Sequence, residues 1–248
     1  MKLLLDIGNT RIKSAVWHDG ALSQHNAVAH AGCSAAQLQS QLLQCYGPVS
    51  SVWISNVAGA EIAGRIRQAV QQRWQLEPTF VTAAAMRGEV RNAYPQPEKL
   101  GVDRWMSLLA AHAMHTGAQV NLIVSVGTAM TLDALGADGQ HRGGLIVPGP
   151  DLMINSLLHN TSDIAAHSAD GIANDTFFAD NTLGAIQQGA ARACAALIES
   201  AYRHLAIEES LKVLITGGAA SRVMPLLGVP AVEVPDLVLQ GLAVMARE

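Results

Sequence analysis

Residues Met1 to Trp17 read MKLLLDIGNTRIKSAVW. Leu3, Leu4 and Leu5 run straight into Asp6, then Gly8, Asn9 and Thr10 follow, and a strand-like segment resumes through Val16. "KLLLDIG" predicts a strand buried on both faces, and "RIKSAVW" its partner. "GNT" predicts a tight turn, because glycine tolerates φ > 0 and Asn and Thr suit turns. A carboxylate at the end of an apolar strand is costly unless it is paired or linked to a metal. Two readings of Asp6 stand side by side. It is a turn-capping aspartate in a hairpin, or it is the acidic member of a phosphate loop. In the second reading backbone N–H groups of the turn cradle phosphate oxygens and the carboxylate holds Mg²⁺, directly or through water. Lys13, just past the turn, reaches the same phosphate.

The same shape returns later in the chain. "NLIVSVGTAMTLDAL" (Asn121 to Leu135) is again apolar strand, glycine turn, strand. With Asp6 set against Ser125, Gly8 falls on Gly127 and Asn9 on Thr128. Around the first hairpin, "SVWISNVA" (Ser51 to Ala58) predicts a short buried strand. "AAQLQSQLLQCY" before it and "AEIAGRIRQAVQQRW" after it have helical spacing of apolar residues. Around the second, "GGLIVPG" (Gly143 to Gly149) predicts a third strand, followed by a long helical region. "LKVLITGGAA" (Leu211 to Ala220) predicts a strand ending in a glycine pair, and "DLVLQGLAVMA" a closing helix with Asp236 near its N-terminus. The economical organisation is two similar α/β lobes with a cleft between them, residues 1–117 and 118–248, joined near "HAMHTGAQ".

Composition narrows the class. Of 248 residues, 50% are hydrophobic and 15% charged, so a large core is available and disorder is not expected. The net charge of −4 leaves no basic surplus, and no nucleic-acid partner is expected. Asp6 cuts the N-terminal apolar run too short for a signal peptide, and no stretch of about 18 uninterrupted apolar residues predicts a membrane span. Cys33, Cys45 and Cys194 form no CxxC pair and no zinc pattern, which predicts reduced thiols in a cytoplasmic protein.

The second turn strengthens the phosphate reading. Gly127, Thr128 and Ala129 are small enough for close backbone approach. Thr131 and Asp133 share a face of the return strand and could add polar contacts. Two such turns facing each other across a cleft would grip one phosphate chain. Gly217 and Gly218, after a strand and before a helix, would let a flat ligand such as adenosine lie against the backbone; alone, such a pair is usually a loop. In "NAYPQPEKLGVDRW" (Asn92 to Trp105), Asp103 and Arg104 sit at a predicted helix start. Asp103 is either a helix N-cap or a proton acceptor beside an anion site made of Arg104 and the helix N–H groups.

Taken together, D-x-G-N-T with Lys13, the G-T-A-x-T-x-D turn and the late glycine pair resemble the superfamily of acetate kinase, sugar kinases, heat-shock chaperones and actin. That resemblance implies ATP and a duplicated, two-lobed actin-like, ribonuclease H-like α/β fold, with mixed sheets flanked by helices and ATP in the cleft between lobes. N-x-Y-x-x-P followed by L-G-x-D-R-W, with "SNVA", "GGLIVPG" and "DNTLGAIQQG" (Asp180 to Gly189), resembles type III pantothenate kinase along nearly the whole chain.

The resemblance implies roles. Asp6 would be the Mg²⁺-linked carboxylate. Gly8, Asn9, Thr10 and Lys13 would form the first phosphate motif, Gly127, Thr128 and Ala129 the second, and Gly217 and Gly218 the adenosine motif. Asp103 would be the catalytic base. Tyr94, Gly101 and Arg104 would bind pantothenate, with Thr182 approaching from the partner in a homodimer. His159 would contact pantothenate too; read without the family, it is a helix-end or surface histidine. The family often has aspartate where this chain has Ser125, a position associated with a monovalent cation (K⁺ or NH₄⁺). A non-catalytic regulator retaining the fold, and a kinase of another small alcohol or acid, are the competing readings.

Overall fold

The computed structural model describes residues 1–114, 119–161, 177–206 and 210–247. In chain order the first elements are strands β1 (Lys2–Ile7), β2 (Arg11–His18) and β3 (Ala21–Ala29), helix α1 (Ala35–Leu38), β4 (Ser51–Asn56), α2 (Ala60–Trp74), the short strands β5 (Thr79–Phe80), β6 (Met86–Arg87) and β7 (Val90–Arg91), and helix α3 (Val102–Ala113). Then come β8 (Val120–Val126), β9 (Ala129–Leu135), β10 (His141–Pro148), α4 (Pro150–Asn160), α5 (Thr182–Leu205), β11 (Leu211–Thr216), α6 (Ala220–Val223), β12 (Val232–Glu233) and α7 (Leu237–Met245). No helix among the described residues is long and apolar enough to cross a membrane.

The chain folds into two compact units. One comprises Met1–Thr116, Asp138–His141 and Asp236–Glu248, the other Gly117–Ala137 and Arg142–Pro235. The division at 116/117 falls within the expected joint, part of which (115–118) lies outside the described residues. The expected second lobe ran to residue 248. Instead the last helix belongs to the first unit, because α7 packs on α3 and β1.

In the first unit the sheet order is β3-β2-β1-β4-β5, with β1 antiparallel to β2 and parallel to β4. The apolar run of β1 explains its central place, since Leu3, Leu4, Leu5 and Ile7 are all fully buried. Leu3, Leu5 and Ile7 meet Ile62, Ile66, Ala69 and Val70 of α2, which lie at the spacing of one helical face. Leu38, Leu42 and Leu43 complete that side, from α1 and the π-helical turn that continues it (Gln39–Leu43). Ser34 caps α1, its hydroxyl accepting from Gln37 N–H while the Gln37 side chain accepts from Ser34 N–H.

The second unit repeats this plan. Its sheet runs β10-β9-β8-β11-β12, with β8 antiparallel to β9 and parallel to β11. The core is Leu122, Val124, Val126, Leu132, Val213 and Ile215 against Cys194, Ala195 and Ile198 of α5. The duplication read from the two glycine turns therefore extends to strand order and sense. It even extends to register. Lys13, Asp6 and Ser55 line up across β2, β1 and β4, and Thr131, Ser125 and Thr216 line up across β9, β8 and β11. Each unit thus presents a polar row at the end of its sheet, two charged groups and a serine in the first and three hydroxyls in the second.

Candidate active site

The first turn is closed by Gly8, whose N–H donates to the Arg11 carbonyl at 3.0 Å. Asn9, Thr10 and Arg11 stand exposed at its tip. Gly8 is not in the left-handed region anticipated for it. The turn is held from behind by His30, largely buried, whose Nε2–H donates to the Gly8 carbonyl at 2.7 Å. Asp6 lies one strand residue before the turn, directly opposite Lys13. Desolvation pushes the Asp6 carboxyl up to about 7, the negative charges of Asp103 and Asp236 push the same way, and Lys13 opposes them. Beside Asp6 on β4, the fully buried Ser55 hydroxyl has no hydrogen-bond partner among the described residues. A carboxylate short of positive charge, next to an orphaned hydroxyl, fits Mg²⁺ bound through one carboxylate, water and substrate phosphates. Among the described residues no cluster of three His, Cys, Asp or Glu side chains is placed to hold a metal ion.

The Asn92–Trp105 motif is assembled by a short loop and α3. Asn92 explains the N-x-Y-x-x-P spacing. Its side-chain oxygen accepts from Tyr94 N–H at 2.9 Å, and its amide donates to the carbonyls of Pro97 and Ala84, each at 3.2 Å. Tyr94 is thereby fixed. Its ring stacks on His141 (centroids 6.2 Å apart), and its hydroxyl accepts from the buried Arg104 guanidinium at 3.0 Å. The N-cap of α3 is Gly101, not Asp103, which lies in the first turn. The Asp103 carboxylate accepts from Arg104 N–H at 2.9 Å. A Cβ on Gly101 would sit 2.7 Å from Asp103 Oδ1, so glycine is what leaves that carboxylate its place.

The second unit builds its turn from glycines that are distant in sequence. Gly127 N–H donates to the Ala129 carbonyl at 3.0 Å, and Thr128 and Ala129 are exposed, matching the first turn. Gly149 N–H donates to the Thr128 carbonyl at 2.8 Å, and a Cβ there would overlap the Gly127 carbonyl. Gly217, at φ 105°, packs so tightly on Val126 that a Cβ would overlap its backbone. Gly218 has open space around it. Ser125 is partly exposed, as Asp6 is.

A family profile described as type III pantothenate kinase matches residues 2–204. The type III pantothenate kinase of Nitrosococcus oceani is 38% identical over 253 residues, covering 100% of this chain and 94% of the relative. That of Aromatoleum aromaticum is 39% identical over 248 residues, covering 100% and 98%.

This chain belongs to the type III pantothenate kinase family.

Such kinases phosphorylate pantothenate, the first step of coenzyme A synthesis. A putative 2-dehydro-3-deoxygalactonokinase from Sinorhizobium meliloti aligns with TM-score 0.62 at 17% identity, covering 100% of this chain and 98% of that one. This likeness speaks for the fold, the duplicated actin-like α/β architecture of such kinases.

Within this pantothenate kinase, the first unit brings together Asp6, Gly8, Asn9, Thr10 and Lys13 at one turn, and Tyr94, Gly101, Asp103 and Arg104 at the start of α3. The second unit gathers Gly127, Thr128 and Ala129 in one turn just after Val126, the residue on which Gly217 and Ala219 close. Thr182 is the first residue of α5, whose N-cap Asn181 accepts from Gly184 N–H at 2.8 Å. His159 stands exposed near the end of α4, its Nδ1–H donating to the Asn155 carbonyl at 2.7 Å. Sequence reading missed His30, His141, Gly149 and the pairing of Asp236. None carries a local motif except Gly149, the last residue of "GGLIVPG", which could have been read as a helix N-cap ahead of Pro150.

Proposed function

We propose that Asp103 is the catalytic base for transfer of the γ-phosphoryl group of ATP to the primary hydroxyl of pantothenate. The observation that carries this is the place of Asp103, in the first turn of α3 beside the Tyr94–Arg104 pair and near enough to Asp6 for its charge to help raise that carboxyl. Arg104 and Tyr94, locked to each other and backed by His141, suit the pantothenate carboxylate and its polar chain. Asp103 orients the hydroxyl and takes its proton as the oxygen bonds to the γ-phosphorus and the bond to the β,γ-bridging oxygen breaks, releasing ADP. The exposed N–H groups and Lys13 of the first turn take phosphate oxygens, and the second turn does likewise. Mg²⁺, held through Asp6, would neutralise developing charge on the phosphates. Most of the rate gain then comes from positioning and charge neutralisation.

Three further parts belong to the same proposal. The chain forms a C₂ homodimer through its second unit, where Leu145, Ile146, Leu152, Leu157, Phe177 and Phe178 are exposed apolar side chains. The partner subunit's Thr182 then completes the pantothenate site, with His159 as a further contact. Ser125 leaves the monovalent-cation position without a charged anchor. The enzyme works in the cytoplasm, where its three unbridged cysteines stay reduced.

Incubation of purified protein with ATP, Mg²⁺ and pantothenate, followed by mass spectrometry, tests the activity. A product one phosphoryl group heavier than pantothenate is expected. Its absence, with protein folded and ATP bound, favours the non-catalytic reading.

A further inference from the structure

Lys13 lies directly across the β1–β2 ladder from Asp6. Cross-strand neighbours of opposite charge at that spacing ordinarily pair with each other. Here the ammonium turns elsewhere: Lys13 Nζ donates to Asp236 Oδ1 at 3.2 Å. The other oxygen of that carboxylate accepts from His25 Nδ1 at 2.9 Å. Asp236 thus gathers a lysine from β2 and a histidine from β3, and it is only 22% exposed.

The backbone of Asp236 is specialised for this. It is the N-cap of α7, a position whose side chain normally accepts from the helix's own N–H groups, yet it makes no such bond. It sits at φ 56°, ψ 34°, in the left-handed region that few residues other than Gly, Asn and Asp tolerate. Residues held in sparsely populated conformations cluster at functional sites. The helix that carries it is fixed in place, because α7 docks on α3 so closely that a Cβ at Gly241 would overlap the Met106 carbonyl. The helix bearing Asp103 and Arg104 therefore also sets the height of Asp236.

We propose that Asp236 is a positioning residue that holds the Lys13 ammonium at the phosphate turn and off the neighbouring Asp6 carboxylate. The proposal rests on the kinase reading given above. Without Asp236, Lys13 is left with Asp6, the carboxylate directly across the ladder from it. Pairing there would draw the ammonium away from the phosphates and neutralise the carboxylate needed for Mg²⁺. His25 steadies the Asp236 carboxylate from its other side.

The test compares wild type with Asp236→Asn, Asp236→Gly, Lys13→Met and the Lys13→Met/Asp236→Asn double variant. Glycine at 236 removes the carboxylate while relieving the left-handed backbone, so its Tm should not fall. Both Asp236 variants should lower kcat about tenfold or more, as for a displaced catalytic group. In the Lys13→Met background Asp236→Asn should change kcat by less than about twofold, since Asp236 acts through Lys13. A crystal structure of nucleotide-free Asp236→Asn should show Lys13 Nζ bonded to Asp6, a readout that does not depend on the substrate. Lys13 remaining at the turn, losses that multiply in the double variant, or both Asp236 variants turning over within about twofold of wild type would each overturn the proposal. A wild type that binds ATP but leaves pantothenate unphosphorylated refutes the kinase reading instead, and the crystallographic arm still decides the role of Asp236.

Discussion

Replacing Asp6 by asparagine should make the protein more stable and less active, and the stability gain should depend on pH in one direction. The folded protein raises the Asp6 carboxyl from its ordinary 3.8 to about 7, chiefly through desolvation and then through Asp103. Between those two values the folded chain binds more protons at this site than the unfolded chain, so stability falls as pH rises through the window. Above about pH 7 the whole cost is present. A pKa difference of about 3, at 1.36 kcal/mol each, makes it at most about 4 kcal/mol. The asparagine side chain of the variant carries no charge and bears none of this cost. Relative to wild type, the Asp6→Asn variant should gain little near pH 4, progressively more to pH 7, and a constant amount beyond. For a chain of this size that corresponds to several degrees in Tm, at about 2–4 °C per kcal/mol. The assay is thermal and urea unfolding of both proteins from pH 4 to pH 9 without nucleotide or Mg²⁺, alongside turnover with both present. Turnover should fall by about 10²-fold or more if, as proposed, the carboxylate that costs stability is the one that holds Mg²⁺. A stability difference that is flat across pH, or a variant less stable than wild type at pH 8, would refute the reasoning.

Other expected outcomes are more compact. Asp103→Asn keeps the shape and removes the proposed proton acceptor, so kcat should fall about 10²-fold with pantothenate still bound in a calorimeter; near-normal turnover would exclude Asp103 as the base. Gly101→Ala places a methyl against Asp103 Oδ1, and steady-state kinetics should show kcat down about tenfold with Tm nearly unchanged. Titration of K⁺ and NH₄⁺ against a Tris background should show a requirement for high K⁺ or none, because Ser125 sits in a row of hydroxyls with Thr131 and Thr216 where a charge would anchor a cation; saturable low-millimolar activation, unaltered in Ser125→Asp, would count against residue 125 as the anchor. Light scattering at assay concentration should give a dimer, and an active monomer would remove the partner subunit's Thr182 from the site.

The elements were legible in the sequence because their signals are local. Three leucines ending at Asp6 and Gly8 specify a buried strand and a turn by themselves. Ile62, Ile66, Ala69 and Val70 specify a helix face, and the second glycine turn at Gly127 specifies a repeat. Burial period and turn chemistry are properties of a few consecutive residues, so they survive without knowledge of the rest. Motif order then sufficed to point to the family, and to Asp103 and Arg104 at a helix start. Tertiary structure decided what those residues touch. Asp236 meets Lys13 across 223 positions of chain, and His141 stacks beneath Tyr94 from 47 positions away. Gly149 and Gly217, each just past a different strand, close on Gly127 and on its neighbour Val126. The last helix returned to the first unit for a similar reason: the place of Gly241 is set by the Met106 carbonyl, which no neighbour of Gly241 in sequence reveals. Such contacts depend on strand register and helix docking, which are fixed by the packing of the whole core, whereas strand, turn and helix face are fixed by the backbone and side-chain preferences of adjacent residues.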